Sequence, residues 1–281
     1  MLRYKLDHGM YGVGSLDLIE IVKFAVVIAL CRFLLSFFIR SFLRGRSYPL
    51  SKLTESSFYA IYYCFITVLQ FTLLYPQRWF KPINWTDTVP LLRFNYTIYE
   101  VKLIYLIQIG FYLQGIIAVF RESRNRRDFS MMITHHVSTS VLLLTSLYCS
   151  NATEYGTLVL FLHDFSDISL FVAKTLNYLS FNALANVVFV VFAVIFFFCR
   201  LIVFPWVIGV LPRGSTNLVL TNGKSSLLHA CFWGSPLLIL QFLHIKWFLM
   251  IVQMVKRKKR DGKLKGDIRS PTISSKTVKS E

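Results

Sequence analysis

"DFSMMITHHVSTSVLLL", from Asp128 to Leu144, sets two adjacent histidines in a run whose other residues are mostly apolar or small and hydroxyl-bearing. Further on, "LVLFLHDFSDISLF" (Leu158–Phe171) sets a histidine and two aspartates among equally apolar neighbours. A helix needs about 20 mostly apolar residues to cross a bilayer, and both stretches fall in segments of that length. A charged side chain at mid-bilayer costs on the order of 2.5–3.5 kcal/mol, so ionisable groups placed there are functional candidates by default.

Working outward, the whole chain has this character. Hydrophobic residues make up 55% of its 281 positions and the mean hydropathy is +0.54, which excludes an ordinary soluble domain. Seven segments approach spanning length: Leu16–Ile39, Ser57–Tyr75, Ile98–Phe120, Phe129–Tyr148, Tyr155–Ala173, Ala183–Val210 and Leu227–Val255. The expected fold is therefore all-α and polytopic, with about seven transmembrane helices. The first span is the least apolar, since Glu20, Lys23 and Arg32 interrupt it. No cleavable signal peptide is expected, because the first apolar run begins late and lacks a small-residue cleavage site.

Lysine and arginine alternate by connection. Nineteen fall after spans one, three, five and seven, against seven on the other side. That excess marks the cytoplasmic face, so the N-terminus is expected outside or in the lumen and the C-terminus in the cytoplasm. The sequon at Asn84 falls on the non-cytoplasmic side. Ten of the basic residues lie in the tail 256–281, which is expected to be disordered and to favour an anionic leaflet. The net charge of +17 thus reports topology. A nucleic-acid partner is not expected, because the tail has neither aromatics nor periodicity. Cys31, Cys64, Cys149, Cys199 and Cys231 lie in or beside apolar runs without a CxxC spacing, and read as small packing residues.

On a helix, His163, Asp164 and Asp167 occupy one arc, as do His135 and Thr139, while His136 points about 100° away from His135. The short "SNATE" connection predicts that spans four and five are antiparallel neighbours whose polar arcs meet. Such a cluster of imidazoles and carboxylates admits several readings from residue type alone. Each group is open to being a bonded packing residue. Together they suit a metal site, a proton relay in a transporter, or acid–base and nucleophilic catalysis. The spacing is not that of H-E-x-x-H, and paired inverted repeats are not evident.

The run "RRDFSMMITHHVSTSVLLLTSLYCSNATEYGTLVLFLHDFSDISLFVAKTLNY" (Arg126–Tyr178) resembles the signature motif of the ceramide synthases, within the TLC-domain membrane proteins. The paired histidines, the H-D-x-S-D segment and the closing "K…N-Y" stand in order. "CRLIVFPWVI" (Cys199–Ile208) and "LQFLHIKWFLMIV" (Leu240–Val252) resemble the family's last two spans. Phe171 stands where the family usually has an acidic residue, and Glu154 and Tyr155 where it usually has a basic one. The connection Arg40–Glu55 is too short for the homeodomain-like insert of many animal members.

The resemblance implies six helices forming a TLC-type barrel around an intramembrane cavity, in an endoplasmic reticulum membrane protein. It divides the chain into an N-terminal segment with the first helix and a basic loop (1–54), the TLC-like domain (55–255) and the tail (256–281). It implies transfer of an acyl group from acyl-coenzyme A to a sphingoid base, giving ceramide, with no cofactor or metal. His135, as nucleophile or general base, His136, His163, Asp164 and Asp167 would be catalytic, the two aspartates partnering the imidazoles and all five lining the cavity. Arg121, Arg124, Arg126 and Arg127 on the cytoplasmic rim suit coenzyme A phosphates, and equally suit plain topology determinants. Asn177, Arg200 and His244 would bind substrate. Membrane lipids and a homo- or heterodimeric partner complete the implied associations. The alternative is a non-catalytic TLC-domain protein that binds or transports lipid.

Overall fold

The computed structural model describes residues 10–77, 80, 96–122, 126, 128–149, 153–209 and 224–261. The sequon at Asn84, Arg124, Arg127 and the tail beyond 261 lie outside the described residues. Seven long helices follow the seven expected spans: α1 (Leu16–Phe42), α2 (Leu50–Leu74), α3 (Tyr99–Glu122), α4 (Phe129–Cys149), α5 (Thr153–Tyr178), α6 (Asn182–Gly209) and α7 (Lys224–Asp261). Two short strands, β1 (Met10–Gly12) and β2 (Tyr96–Ile98), pair antiparallel ahead of α1 and α3. The fold is otherwise helical.

Five helices, α2, α3, α5, α6 and α7, are long and apolar enough to cross a membrane. Their outward faces are those of a membrane protein: Val187 and Phe198 on α6 and Leu238 and Phe242 on α7 are all more than half exposed, a surface that water would not tolerate in such quantity. The chain is a multi-pass membrane protein. α4 is diluted by its histidines, serines and threonines, and α1 by its charges, yet α1 presents an equally apolar outer face through Val22, Phe33 and Phe37. Four of the charges on α1 have an occupation. Lys23 pairs with Glu20 at 2.9 Å, and Arg32 bonds the Tyr59 hydroxyl at 3.2 Å while lying over the Phe58 and Tyr59 rings. Buried Asp17 receives the Gly14 amide at 2.9 Å and pairs with buried Lys102 at 2.9 Å.

α3 is the central element. Ile104, Tyr105, Ile109 and Phe111 are almost wholly buried, and α1 covers its outer side. At Gly110 a Cβ would meet the backbone nitrogen of Ala25 at 2.9 Å, so a side chain there would push α1 away. From α3 onward the helices form a ring: α2 packs on α3 and α5, α5 on α6, the far half of α6 on α7, and α7 on α4, which returns to α3. Here the structure corrects the sequence reading: α4 and α5, consecutive and antiparallel, hardly touch. The reason is Tyr105 of α3. Its ring sits between them, its hydroxyl accepting from Ser146 of α4 at 3.1 Å and filling the space over Gly156 of α5. Held apart, the two helices leave room for a cavity.

Two local features set the site's walls. Residues Phe197–Val203 of α6 wind as a π-helix, with the Phe204 amide reaching back to the Cys199 carbonyl. Pro205 has no amide hydrogen, so the ordinary α-bond to Leu201 cannot form, and the wider turn takes up the misfit. At the other end of the pair, α5 closes with Phe181 N–H bonding Leu176 O (2.9 Å) and Ser180 N–H bonding Asn177 O (3.1 Å), with Ser180 at φ 68°. That Schellman-type ending turns the chain straight into α6.

Candidate functional site

His135 and His136 stand on α4, six and seven residues past its start at Phe129, so about 9–10 Å along the axis at 1.5 Å per residue. Their rings lie 5.7 Å apart at an interplanar angle of 70°, and Tyr112 of α3 meets both edge-on, at 6.0 Å and 5.5 Å between centroids. His136 fits because position 115 on α3 is glycine: a Cβ there would meet its Cε1 at 2.7 Å. Trp247 of α7 lies edge-on to His135 at 5.3 Å. The Nδ1 atoms of both histidines and the indole nitrogen of Trp247 are buried without a hydrogen-bond partner. Buried polar groups are ordinarily satisfied, so three orphans around one pair of imidazoles mark a place built for something the protein alone does not supply.

That place is a cavity of about 240 Å³. His135, His136, Tyr112, Trp247, Asp167 and Arg200 are on its wall, with Phe171, Phe189, Phe192, Phe196, Met132 and Met254 forming much of the remainder. Asp167 of α5 accepts from Arg200 Nη2 at 2.7 Å, and its side chain keeps 19% of its surface exposed against 3% for Arg200. The guanidinium is fixed further by Nε to Ser166 Oγ (2.9 Å) and Nη2 to the His163 carbonyl (3.2 Å), with Phe196 against its face. The π-turn of α6 is what aims Arg200 inward.

The other expected residues are placed behind this wall. Asp164 is 1% exposed and does not line the cavity. Its Oδ2 accepts from Gln70 of α2 at 2.9 Å and from Gln108 of α3, and Tyr62 in turn donates to Gln108 at 3.3 Å. His163 and His244 are both buried outside the lining, their Nε2 atoms 3.0 Å apart, while His163 Nδ1 lies 2.7 Å from the Val159 carbonyl. Three sequence expectations change accordingly. The five residues do not share one cavity; His135, His136 and Asp167 do. The aspartates partner an arginine and two amides, not imidazoles. His244 supports the wall instead of facing a ligand. The His/Asp pattern alone does not reach Gln70, Gln108, Tyr112 and Trp247; amide, phenol and indole groups inside apolar spans carry the same signal.

At the basic face, Lys52 of α2 and Lys174, Asn177 and Tyr178 of α5 line the cavity's mouth. Of the arginine rim, the described members Arg121 and Arg126 do not. Arg126 is engaged with Glu55 at 2.5 Å, and Arg121 is exposed at the end of α3 and off the lining. Among the described residues, no three metal-ligating side chains converge. Chemically, the arrangement offers imidazole nitrogens as nucleophile or base, a tyrosine hydroxyl beside them, and a braced carboxylate, at the end of an apolar chamber with a cationic opening.

The TLC-domain family model matches residues 52–253. Among curated proteins the chain is similar to ceramide synthase 4 of Homo sapiens, 30% identical over 225 residues covering 80% of this chain and 55% of that protein. It is similar to ceramide synthase LOH2 of Arabidopsis thaliana, 34% identical over 229 residues, 78% of this chain and 74% of the relative. Ceramide synthase LOH1 of the same plant is 32% identical over 240 residues, with shares of 79% and 74%. The chain spans about half the length of the human relative and about three quarters of the plant ones.

Proposed function

The chain belongs to the TLC-domain family, and from that premise we propose that it is a ceramide synthase, an acyl-CoA-dependent N-acyltransferase acting on a sphingoid base. The observation that carries the reading is one apolar-walled cavity holding both histidines of α4 opposite the Asp167–Arg200 pair. The named relatives support the same reaction.

In this proposal His135 attacks the thioester carbonyl. A C–N bond forms as the C–S bond breaks, and coenzyme A departs as its thiol. The sphingoid amine arrives as an ammonium and must shed a proton before it becomes a nucleophile. Asp167, anchored by Arg200, holds that polar headgroup at the wall, and His136 is the acceptor. Attack of the amine on the acyl-imidazole forms the amide and returns the imidazole. Overall the ammonium loses two protons: one leaves on the coenzyme A thiol and the other passes from His136 to solvent. The Tyr112 hydroxyl is the neighbour suited to the oxygen that gains charge in each step. The direct variant keeps the same residues, with a histidine as base and no covalent stage.

The same reading places all seven helices across the endoplasmic reticulum membrane, the N-terminus luminal and the C-terminus cytoplasmic, supported by the asymmetry of basic residues. It closes α2–α7 into a barrel and sets α1 against its outside, and it leaves the lipid-facing sides of α1 and α6 for lipid or for a second subunit. Purified full-length protein given a long-chain acyl-CoA and sphinganine is expected to form dihydroceramide and free coenzyme A in equal amounts. Binding of both lipids without product is the result that would replace this reading with lipid binding or transport.

A further inference from the structure

The cavity changes character along its length. Its inner end carries histidines and an ion pair whose charges cancel, Asp167 with Arg200. Its mouth carries two lysines, Lys52 and Lys174, with Asn177 about one helical turn beyond Lys174 on α5. They come from different helices, and the hydrogen bond between Thr175 Oγ1 and Ser56 Oγ at 3.1 Å fixes how those helices align. Lys174 is next to Thr175, and Lys52 is one helical turn before Ser56, so both lysines border the same seam between α5 and α2. Lys52 is exposed, and Lys174 is half-buried with its Nζ 4.8 Å from the Phe171 ring centre.

The backbone reinforces this polarity. α2 begins at Leu50, α4 at Phe129 and α6 at Asn182, all on this face. Each contributes residues to the lining within about its first two turns, as Lys52, Met132 and Ala185 do. Unsatisfied amides at helix starts favour anions.

We infer that Lys52 and Lys174 form the phosphate subsite of the acyl donor, gripping the phosphates of coenzyme A while its thioester reaches His135. This rests on the acyl-CoA reading above and places the subsite at the mouth of the cavity, away from Arg121 and Arg126. Two lysines act as point charges suited to a flexible polyphosphate, with Asn177 as a neutral donor beside them.

The test is binding of coenzyme A, 3′-dephospho-coenzyme A and pantetheine to the purified full-length protein. Wild type is expected to prefer them in that order. Lys52→Gln and Lys174→Gln should each weaken coenzyme A by about tenfold, leave pantetheine where it was, and flatten the salt dependence. Lys52→Arg with Lys174→Arg should restore coenzyme A binding, which a purely structural role for the lysine stems would also allow only if pantetheine moved in parallel. Equal affinity of coenzyme A for wild type and both Gln variants overturns the subsite, as does a loss shared by pantetheine. Coenzyme A binding that behaves as expected in a protein unable to form dihydroceramide would uphold the subsite and overturn the acyltransferase reading.

Discussion

His163 and His244 face each other Nε2 to Nε2 at 3.0 Å, and their surroundings admit one arrangement of hydrogens. The Val159 carbonyl can only accept, so His163 donates from Nδ1. If its ring is neutral its Nε2 then accepts, and His244 must donate from its own Nε2. His244 Nδ1 is left as a buried acceptor without a partner, near Trp247, whose ring lies 6.3 Å away. The pair joins α5 to α7 directly behind the cavity wall. His244→Gln keeps a donor at about the right reach, whereas His244→Phe strands the His163 nitrogen. Turnover is expected to fall roughly tenfold more in the Phe variant, on the scale of one lost buried hydrogen bond of about 1–3 kcal/mol. Equal turnover in the two variants at matched protein levels would show that the bond carries nothing.

Asp167 and Arg200 give a prediction about stability as well as rate. Arg200 is 3% exposed, so removing its counter-charge leaves a buried cation. Asp167→Asn is expected to cost about 3–5 kcal/mol of stability and to lower turnover by roughly a hundredfold. Adding Arg200→Gln should return most of the stability and none of the activity. Thermal unfolding and initial rates on the three proteins separate these effects; recovery of rate in the double variant would make the pair a brace without a chemical role.

The contrast between these pairs shows what a single sequence can carry. Span positions were legible, because the need for about 20 apolar residues is local: the expected Tyr155–Ala173 became α5, Thr153–Tyr178. His163, Asp164 and Asp167 were legible as a polar arc by their spacing. Their partners were not. Arg200 is 33 residues from Asp167 in the chain and reaches it through a π-turn that depends on Pro205. Gln70 and Gln108 come from two other helices. The separation of α4 and α5 turned on one inserted ring, Tyr105, which no rule about short connections contains.

Two glycines of α3 separate support of the fold from support of the site. Gly110→Ala drives a methyl into the backbone of α1, 2.9 Å from Ala25 N. It is expected to lower the unfolding temperature, at a cost of about 1–3 kcal/mol for overpacking, and to loosen α1 towards protease. Gly115→Ala instead meets the His136 ring first, at 2.7 Å from Cε1. Its expected effect is a fall in kcat of roughly tenfold or more with thermal stability nearly kept, since a small misplacement of a reacting group is costly. If Gly115→Ala unfolds the protein as readily as Gly110→Ala, the glycine serves packing alone.

The two catalytic variants differ in what happens before the amine arrives. If His135 is the nucleophile, incubation with acyl-CoA alone should release one coenzyme A per active site and leave one acyl group on the protein, which sphinganine then removes. His135→Ala should abolish both the burst and the adduct. His136→Ala should slow turnover while leaving adduct detectable, because His136 takes its proton from the amine, which arrives after the acyl group is already on His135. Direct transfer predicts no release of coenzyme A in the absence of sphinganine, since a general base has nothing to activate. Survival of an acyl-imidazole also demands that water be kept out, and the phenylalanine and methionine walls around His135 meet that demand. Intact-mass analysis decides between the two. An enzyme active on both substrates that shows neither burst nor adduct would leave His135 or His136 as the base and end the covalent version.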